Sequence, residues 1–429
     1  MSQKLTTLFI SLAVLLIASL PMVSPVNATN GYFSHGYGVQ SKSMGGVAVA
    51  LPRDAFVAAS NPAAMLELGR RYDIGISLFN PNRNFTVTGN PSMQAGTFPL
   101  TPGNVESDSK LFFIPSIAAN WMLNPKTSLG VSIFGNGGMN TNYDTKVFDN
   151  PMAPVTAPTG VNLMQLFVMT TLAREVVENH SLGIAGIFGY QMFEAKGLQA
   201  FSGFSSDPTK LTNNDNATST GFGARFGYYG KLTPAFHIGA SYQTKVYMSE
   251  FDEYAGLFAE KGDFDVPANW TVGIAVKPSR TLTLAADVQT IMYSDVKSVG
   301  NLFNPQYFQQ GVFLGVDSAS GFGWDDMTIF KFGLEWEGIV DLPIRLGYSY
   351  GEQPIPDTEV MFNILAPGVI EHHITFGFSR KLCAKKEISF SVMHALTSNV
   401  TGANPMEVPD QQTIDLEMNQ WEFSIGLSF

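Results

Sequence analysis

The sequence is short of charge, of thiols and of long apolar runs. Charged residues make up only 14% of its 429 positions, and acids outnumber bases by 36 to 25. The net charge of −11 excludes nucleic acid as a partner, because a phosphate backbone needs clustered Lys and Arg. The single Cys383 can form no internal disulfide and offers no thiolate cluster to a metal. The histidines are scattered. His372 and His373 are neighbours, so on a strand they point to opposite faces and cannot share an ion. There is no Gly-Lys-Ser/Thr phosphate loop, so no nucleotide-driven step is encoded. No metal and no cofactor is expected. Beyond residue 28 no run of about 18 uncharged apolar residues occurs, which excludes a transmembrane helix. A barrel remains open, because closure satisfies every backbone N–H and C=O inside lipid.

The first residues read as an export signal. Lys4 supplies the charge, Leu8 to Leu20 the apolar stretch, and Val26–Ala28 a small-residue cleavage site. Residues 1–28 are therefore expected to be a signal peptide.

What is present is alternation. The chain ends NQWEFSIGLSF, with Trp421, Phe423, Ile425, Leu427 and Phe429 on one face of a strand and Glu422, Ser424, Gly426 and Ser428 on the other. Fourteen such segments can be read between residues 70 and 429, among them 219–232, 235–250, 280–297 and 415–429. The gaps between them alternate in length. Short ones carry turn residues, such as Asn124–Lys126 and Thr233–Pro234; long ones run over 89–110, 140–160, 196–218, 251–265, 298–323, 353–369 and 399–414. Short turns on one side and long loops on the other are the pattern of a transmembrane β-barrel in a bacterial outer membrane. The long gaps are acidic, with Asp144, Glu253, Asp263 and Glu407 among their residues. They are either a solvated surface or a surface bridged by divalent ions to lipopolysaccharide.

A barrel of fourteen strands lies between those filled by their own side chains and those left as open channels. Left empty, it leaks. Residues 29–69, rich in Gly and Ala and without long alternation, are the expected stopper, leaving 70–429 as the barrel. The fold class expected is thus all-β: a fourteen-stranded antiparallel transmembrane barrel with a small N-terminal plug, or hatch.

The plug segment carries Gly31, Tyr32, Phe33, Gly36 and Gly38, then Gly45, Gly46, Ala48 and Ala50, then Asp54, Ala58 and Asn61–Ala63 leading to Met65. Further on come GNGGMNTNY at 135–143, GFGWDD at 321–326 and LPIRLGYSYGEQPI at 342–355. In that order, over the whole mature chain, these stretches resemble the FadL family of outer-membrane transporters for long-chain fatty acids and related hydrophobic compounds. The resemblance implies a plugged fourteen-stranded barrel and passive uptake. A hydrophobic molecule is captured by outer loops, passes to a lumen site, and leaves sideways through a kinked strand beside the plug.

Several residues are candidates for those steps. Phe251, Tyr254, Leu257 and Phe258 fall on one face if their loop is helical. With Phe201, Phe204, Leu198 and Leu211 they form either a docking groove or a cluster buried against itself. Asn61, Pro62 and Ala63 disfavour helix at Asn61 and mark a turn that sets the plug's angle. Gly135, Gly137 and Gly138 permit a kink in the third strand, or mark a strand-to-loop junction. Alternation turns Arg225, Lys245, Lys331, Arg345, Asp287 and His373 inward. Arg225, Lys331 and Arg345 are candidates for an acid head group, since arginine can pair bidentately with a carboxylate; equally, they can brace the plug. GYSYG at 347–351 has the nucleophile-elbow spacing, but Ser349 lies within an alternating strand rather than at a strand-to-helix turn.

The reading that follows is passive uptake of a hydrophobic small molecule, foremost a long-chain fatty acid, by a monomer with no catalytic residue. The same architecture serves aromatic hydrocarbons or alkanes. A lipid hydrolase built on Ser349 and a non-specific porin are the other classes.

Overall fold

The computed structural model describes residues 30–149, 154–383 and 386–429. The export signal expected over residues 1–28 lies outside the described residues.

Sixteen strands form one antiparallel sheet, and two of them are short attachments: Gly103–Glu106 and Tyr247–Met248. The remaining fourteen are β1 (Arg71–Thr88), β2 (Phe112–Asn124), β3 (Thr127–Asn142), β4 (Gly160–Val177), β5 (His180–Lys196), β6 (Ala217–Thr233) and β7 (Phe236–Gln243), then β8 (Asn269–Val276), β9 (Leu282–Ile291), β10 (Met327–Trp336), β11 (Ile344–Gly351), β12 (His372–Cys383), β13 (Lys386–Ala403) and β14 (Thr413–Ser428). Each pairs with its neighbours in sequence, and β14 returns to β1, from Asp73 opposite Ser428 to Thr88 opposite Thr413. The sheet closes on itself as a barrel.

Alternation sorts the side chains as the sequence implies. On β10, Phe330 and Phe332 are exposed outward while Lys331 and Glu335 are buried inward. Arg225, Asp287, Arg345 and His373 are likewise buried. Lys245 is not in this set. The strand expected over 235–250 stops at Gln243, and residues 244–246 leave the ladder before Tyr247–Met248 rejoins β6. Gln243 lies opposite Arg225 but Tyr247 opposite Phe222, one residue more than a regular ladder has, and this single extra residue reverses the parity: Val246 turns inward and Lys245 sits half-buried, its ammonium 3.7 Å from Asp265. The strand expected over 280–297 also stops early, at Ile291, and gives way to short helical turns at Tyr293–Asp295 and Lys297–Gly300.

Residues 30–69 fill the lumen. Asp54 caps a short helical turn at Ala55–Ala59, and Asn61 caps a second at Pro62–Leu68 with proline at its first position. Ion pairs tie this segment to the wall: Lys42 to Glu422 and Arg53 to Glu335. Asp287 accepts the Ala48 and Val49 amides at 2.8 and 3.1 Å.

Candidate substrate path

Beneath the outer loops lies a narrow apolar chamber with about 40 Å³ of free space, nearly filled by its own side chains. Its lining includes Phe193, Phe201, Leu257, Phe258, Phe322 and Phe362. The loop at 250–261 is not the single amphipathic helix that its spacing suggests. A helical turn at Asp252–Tyr254 is followed by Ala259–Gly262, in which Glu260 and Lys261 have left-handed backbones. The aromatic residues still converge. Phe251, Tyr254 and Phe258 are buried and pack on Phe193, with ring centroids 5.6, 4.8 and 4.7 Å away. Phe201 and Leu257 line the chamber directly, whereas Phe204 stacks on Phe308 at 4.6 Å. Sequence reading did not single out Phe193, Phe322 or Phe362. Each is inward or loop-borne, and nothing local marks which inward residues meet under the loops.

Charge at the loops is also set by burial. The carboxyl of Asp263 is pushed up to about 7 by desolvation and by neighbouring Asp265. Asp265 accepts the Met248 amide at 2.7 Å and faces Lys245, so of the two it is better placed to keep the negative charge. Glu359 is also raised by burial, although it accepts the Phe303 amide at 2.7 Å.

Phe264 continues the chamber wall from Phe258, 4.9 Å away, to Tyr32 near the start of the plug, at 6.1 Å. There Tyr32, Tyr293 and Trp324 form an aromatic floor, with centroids 5.1 to 5.8 Å apart. The Tyr293 hydroxyl locks it, accepting the Tyr32 amide at 3.2 Å and donating to the Asn30 carbonyl at 2.5 Å.

Past the floor lies a small polar cavity that brings Arg225 and Lys331 together, beside Asp287, Tyr37 and Ser60. Lys331 donates to the His35 carbonyl at 3.0 Å. Arg225 has only neutral acceptors: Gln243 at 2.6 Å, Asn269 at 3.3 Å, the Ser60 carbonyl at 3.3 Å and Ser241 at 3.4 Å. Among the described residues it forms no ion pair. Arg345 lies elsewhere, paired with Glu335 at 2.7 Å and bonded to Gln40 of the plug at 2.9 Å, so its donors are committed to bracing.

Gly135 and Gly137 flank a bulge in β3. The β2–β3 ladder ends at Ile117 opposite Ile133; above it, Phe112–Ser116 pair with β1, and residues 134–142 pair with β4 and bridge only to Phe33 of the plug, at Gly137. The seam is unzipped. The plug closes it partly, through Gly138 N–H to the Tyr32 carbonyl at 3.0 Å and Ser34 N–H to the Asn136 carbonyl at 3.1 Å. A cavity lined by Tyr37, Lys42, Ile114, Phe134 and Gly135 sits at the seam. Asn61, the remaining candidate with Pro62 and Ala63, is fully buried against β6 and accepts the Ala63 amide at 3.1 Å.

Ser349 is buried within β11 and contacts His373 across the ladder at 3.1 Å. It stands on a regular strand, without the sharp turn that exposes a nucleophile.

A closed barrel with an apolar exterior, residues 30–69 in its lumen, an apolar chamber under the loops and one unzipped seam defines a plugged outer-membrane conduit. Residues 28–367 match the family described as Outer membrane protein transport protein (OMPP1/FadL/TodX), and the chain belongs to that family. Its members are transport channels for hydrophobic small molecules rather than enzymes, which places the chain in the outer membrane. Solved structures agree in fold. The toluene transporter TodX of P. putida is 16% identical, with a TM-score of 0.66 over 92% of this chain and 98% of its own. A Pseudomonas aeruginosa FadL homologue is 15% identical, with a TM-score of 0.68 over 93% and 99%. The Ralstonia pickettii toluene transporter TbuX is 18% identical, with a TM-score of 0.61 over 92% and 98%. No curated protein sequence matches the chain.

Proposed function

We propose that the protein takes up long-chain fatty acids. The outer loops, with Phe251, Tyr254, Leu257, Phe258, Phe201 and Phe204, form and support the chamber that receives the acyl chain. Each CH₂ removed from water there contributes about 0.8 kcal/mol. The carboxylate then reaches Arg225 and Lys331 once the floor around Tyr32 opens. The molecule leaves sideways at Gly135–Gly138, so the chain passes into lipid without crossing water.

The observation that carries this reading over a hydrocarbon substrate is Arg225, buried beside a second cation with only neutral acceptors. A buried charge without a partner is costly, and a ligand carboxylate supplies that partner. A second reading rests on the phenylalanine lining of the chamber, which suits an aromatic ring. One experiment separates the two. Binding of oleate, oleyl alcohol and toluene is measured on the purified protein and on Arg225→Gln. The fatty-acid reading predicts that the variant weakens oleate by about tenfold or more and leaves the other two unchanged. Oleate binding no tighter than the alcohol in the native protein, and indifferent to Arg225, removes that reading in favour of the hydrocarbon.

A further inference from the structure

The outward face of β13, β14 and β1 changes character rung by rung. At the bottom Ile76 pairs with Ile425 and Leu78 with Phe423. These residues, with Phe390 and Val392 of β13, line an external groove of about 420 Å³ that is almost wholly apolar. The next rung is aromatic: His394 stacks on Trp421, with centroids 4.0 Å apart and planes at 17°. Above it every outward rung shared by β1 and β14 is polar: Asn82 opposite Asn419, Asn84 opposite Glu417, Thr86 opposite Asp415.

The polar part is broad and built. A bulge in β13 between Ala395 and Ser398 shifts its parity and brings Asn399 and Thr401 onto the same face, where both bond Asp415, at 2.8 and 2.5 Å. The attached strand Gly103–Glu106 adds Asn104, bonded to Asn84 and Thr86 at 2.9 Å each. From Asn80 to Thr88 the wall rises about 27 Å along the strand, and its four strands are roughly 15–20 Å wide. Lys110 lies beside the aromatic rung: its carbonyl receives the Asn80 amide at 2.5 Å and its ammonium meets Glu106 at 2.8 Å.

Acyl-sized groove, stacked aromatic belt, then a flat face of amides, hydroxyls and two carboxylates follow one another on the same strands. We infer that this sector holds one molecule of lipopolysaccharide. Its acyl chains lie in the groove and its core sugars against the amide ladder, with its phosphates reaching Lys110 directly and Asp415 and Glu417 through divalent cations. Aromatic rings and side-chain amides are the groups that receive a sugar's apolar face and its hydroxyls. The site is on the outside of the barrel and does not depend on what the lumen carries.

The test uses the mature protein in mild detergent with added Mg²⁺. Three probes are titrated: core-bearing lipopolysaccharide, lipid A without core sugars, and phosphatidylglycerol. Expected is a preference for core-bearing lipopolysaccharide over lipid A. In the triple variant Asn82→Ala, Asn84→Ala, Asn399→Ala its affinity falls by about tenfold or more, while lipid A binding is retained. Unchanged heat-modifiable gel mobility shows that the variant is folded. Equal affinity for all three probes, or a folded triple variant that binds lipopolysaccharide as the native protein does, overturns the inference.

Discussion

Asn61 ties the plug to the barrel wall through a single side chain. Its amide donates to the Val49 carbonyl at 2.7 Å and the Tyr228 carbonyl at 2.8 Å, while its oxygen caps the turn that follows. Asn61→Ala strands two buried carbonyls and one amide, at an expected cost of about 2–4 kcal/mol. A lower melting temperature and a raised ion leak in planar bilayers check it; an unchanged midpoint contradicts it. This residue was legible in the sequence because Asn-Pro is a local signal. Arg225 and Lys331 were legible as inward residues because a strand alternates strictly. That they share a cavity was not, since β6 and β10 are brought together only by barrel closure. Lys245 marks the limit of parity: an extra residue in a bulge leaves no mark in the alternation, yet inverts every direction after it.

At the scale of elements, β3 and the loop after β7 carry the moving parts of the account. A Cβ on Gly137 falls 1.8 Å from the Tyr32 carbonyl, so Gly137→Ala pushes the plug's first residues off the seam. The expected result is a destabilisation of about 1–3 kcal/mol, with faster entry of small polar solutes into reconstituted vesicles. Unaltered permeability contradicts the seam contact. For the loop, the sign follows from Asp263. Its carboxyl stands at about 7 when folded, above its ordinary value of 3.8. Stability from the buried neutral acid is therefore complete below the ordinary carboxylate range and is lost as pH rises through about 7. Beyond the intrinsic pH dependence of exchange, protection of residues 251–266 should fall between about pH 4 and about pH 7, and Asp263→Asn should flatten that fall. An equal slope in the variant contradicts it. Strand number and the division into short turns and long loops were readable, because the barrel imposes both on the sequence. Where β7 and β9 stop was not: the residues beyond them alternate well enough, but the loops draw them inward.

The whole molecule is a corked cylinder whose cork is held to the wall by polar contacts. Lys42 with Glu422 anchors the plug on one stretch of wall, and Arg53 with Glu335 and Arg345 with Gln40 anchor it on another, where Glu335 and Arg345 are themselves paired. The apolar chamber above and the unzipped seam beside it belong to a carrier of greasy molecules, not to a water-filled pore. The direct measurement is of both fluxes on one preparation: radiolabelled palmitate uptake into vesicles containing the protein, and ion current across bilayers containing the same protein. The account predicts saturable palmitate uptake with little steady conductance. Large ohmic conductance without saturable palmitate uptake contradicts it.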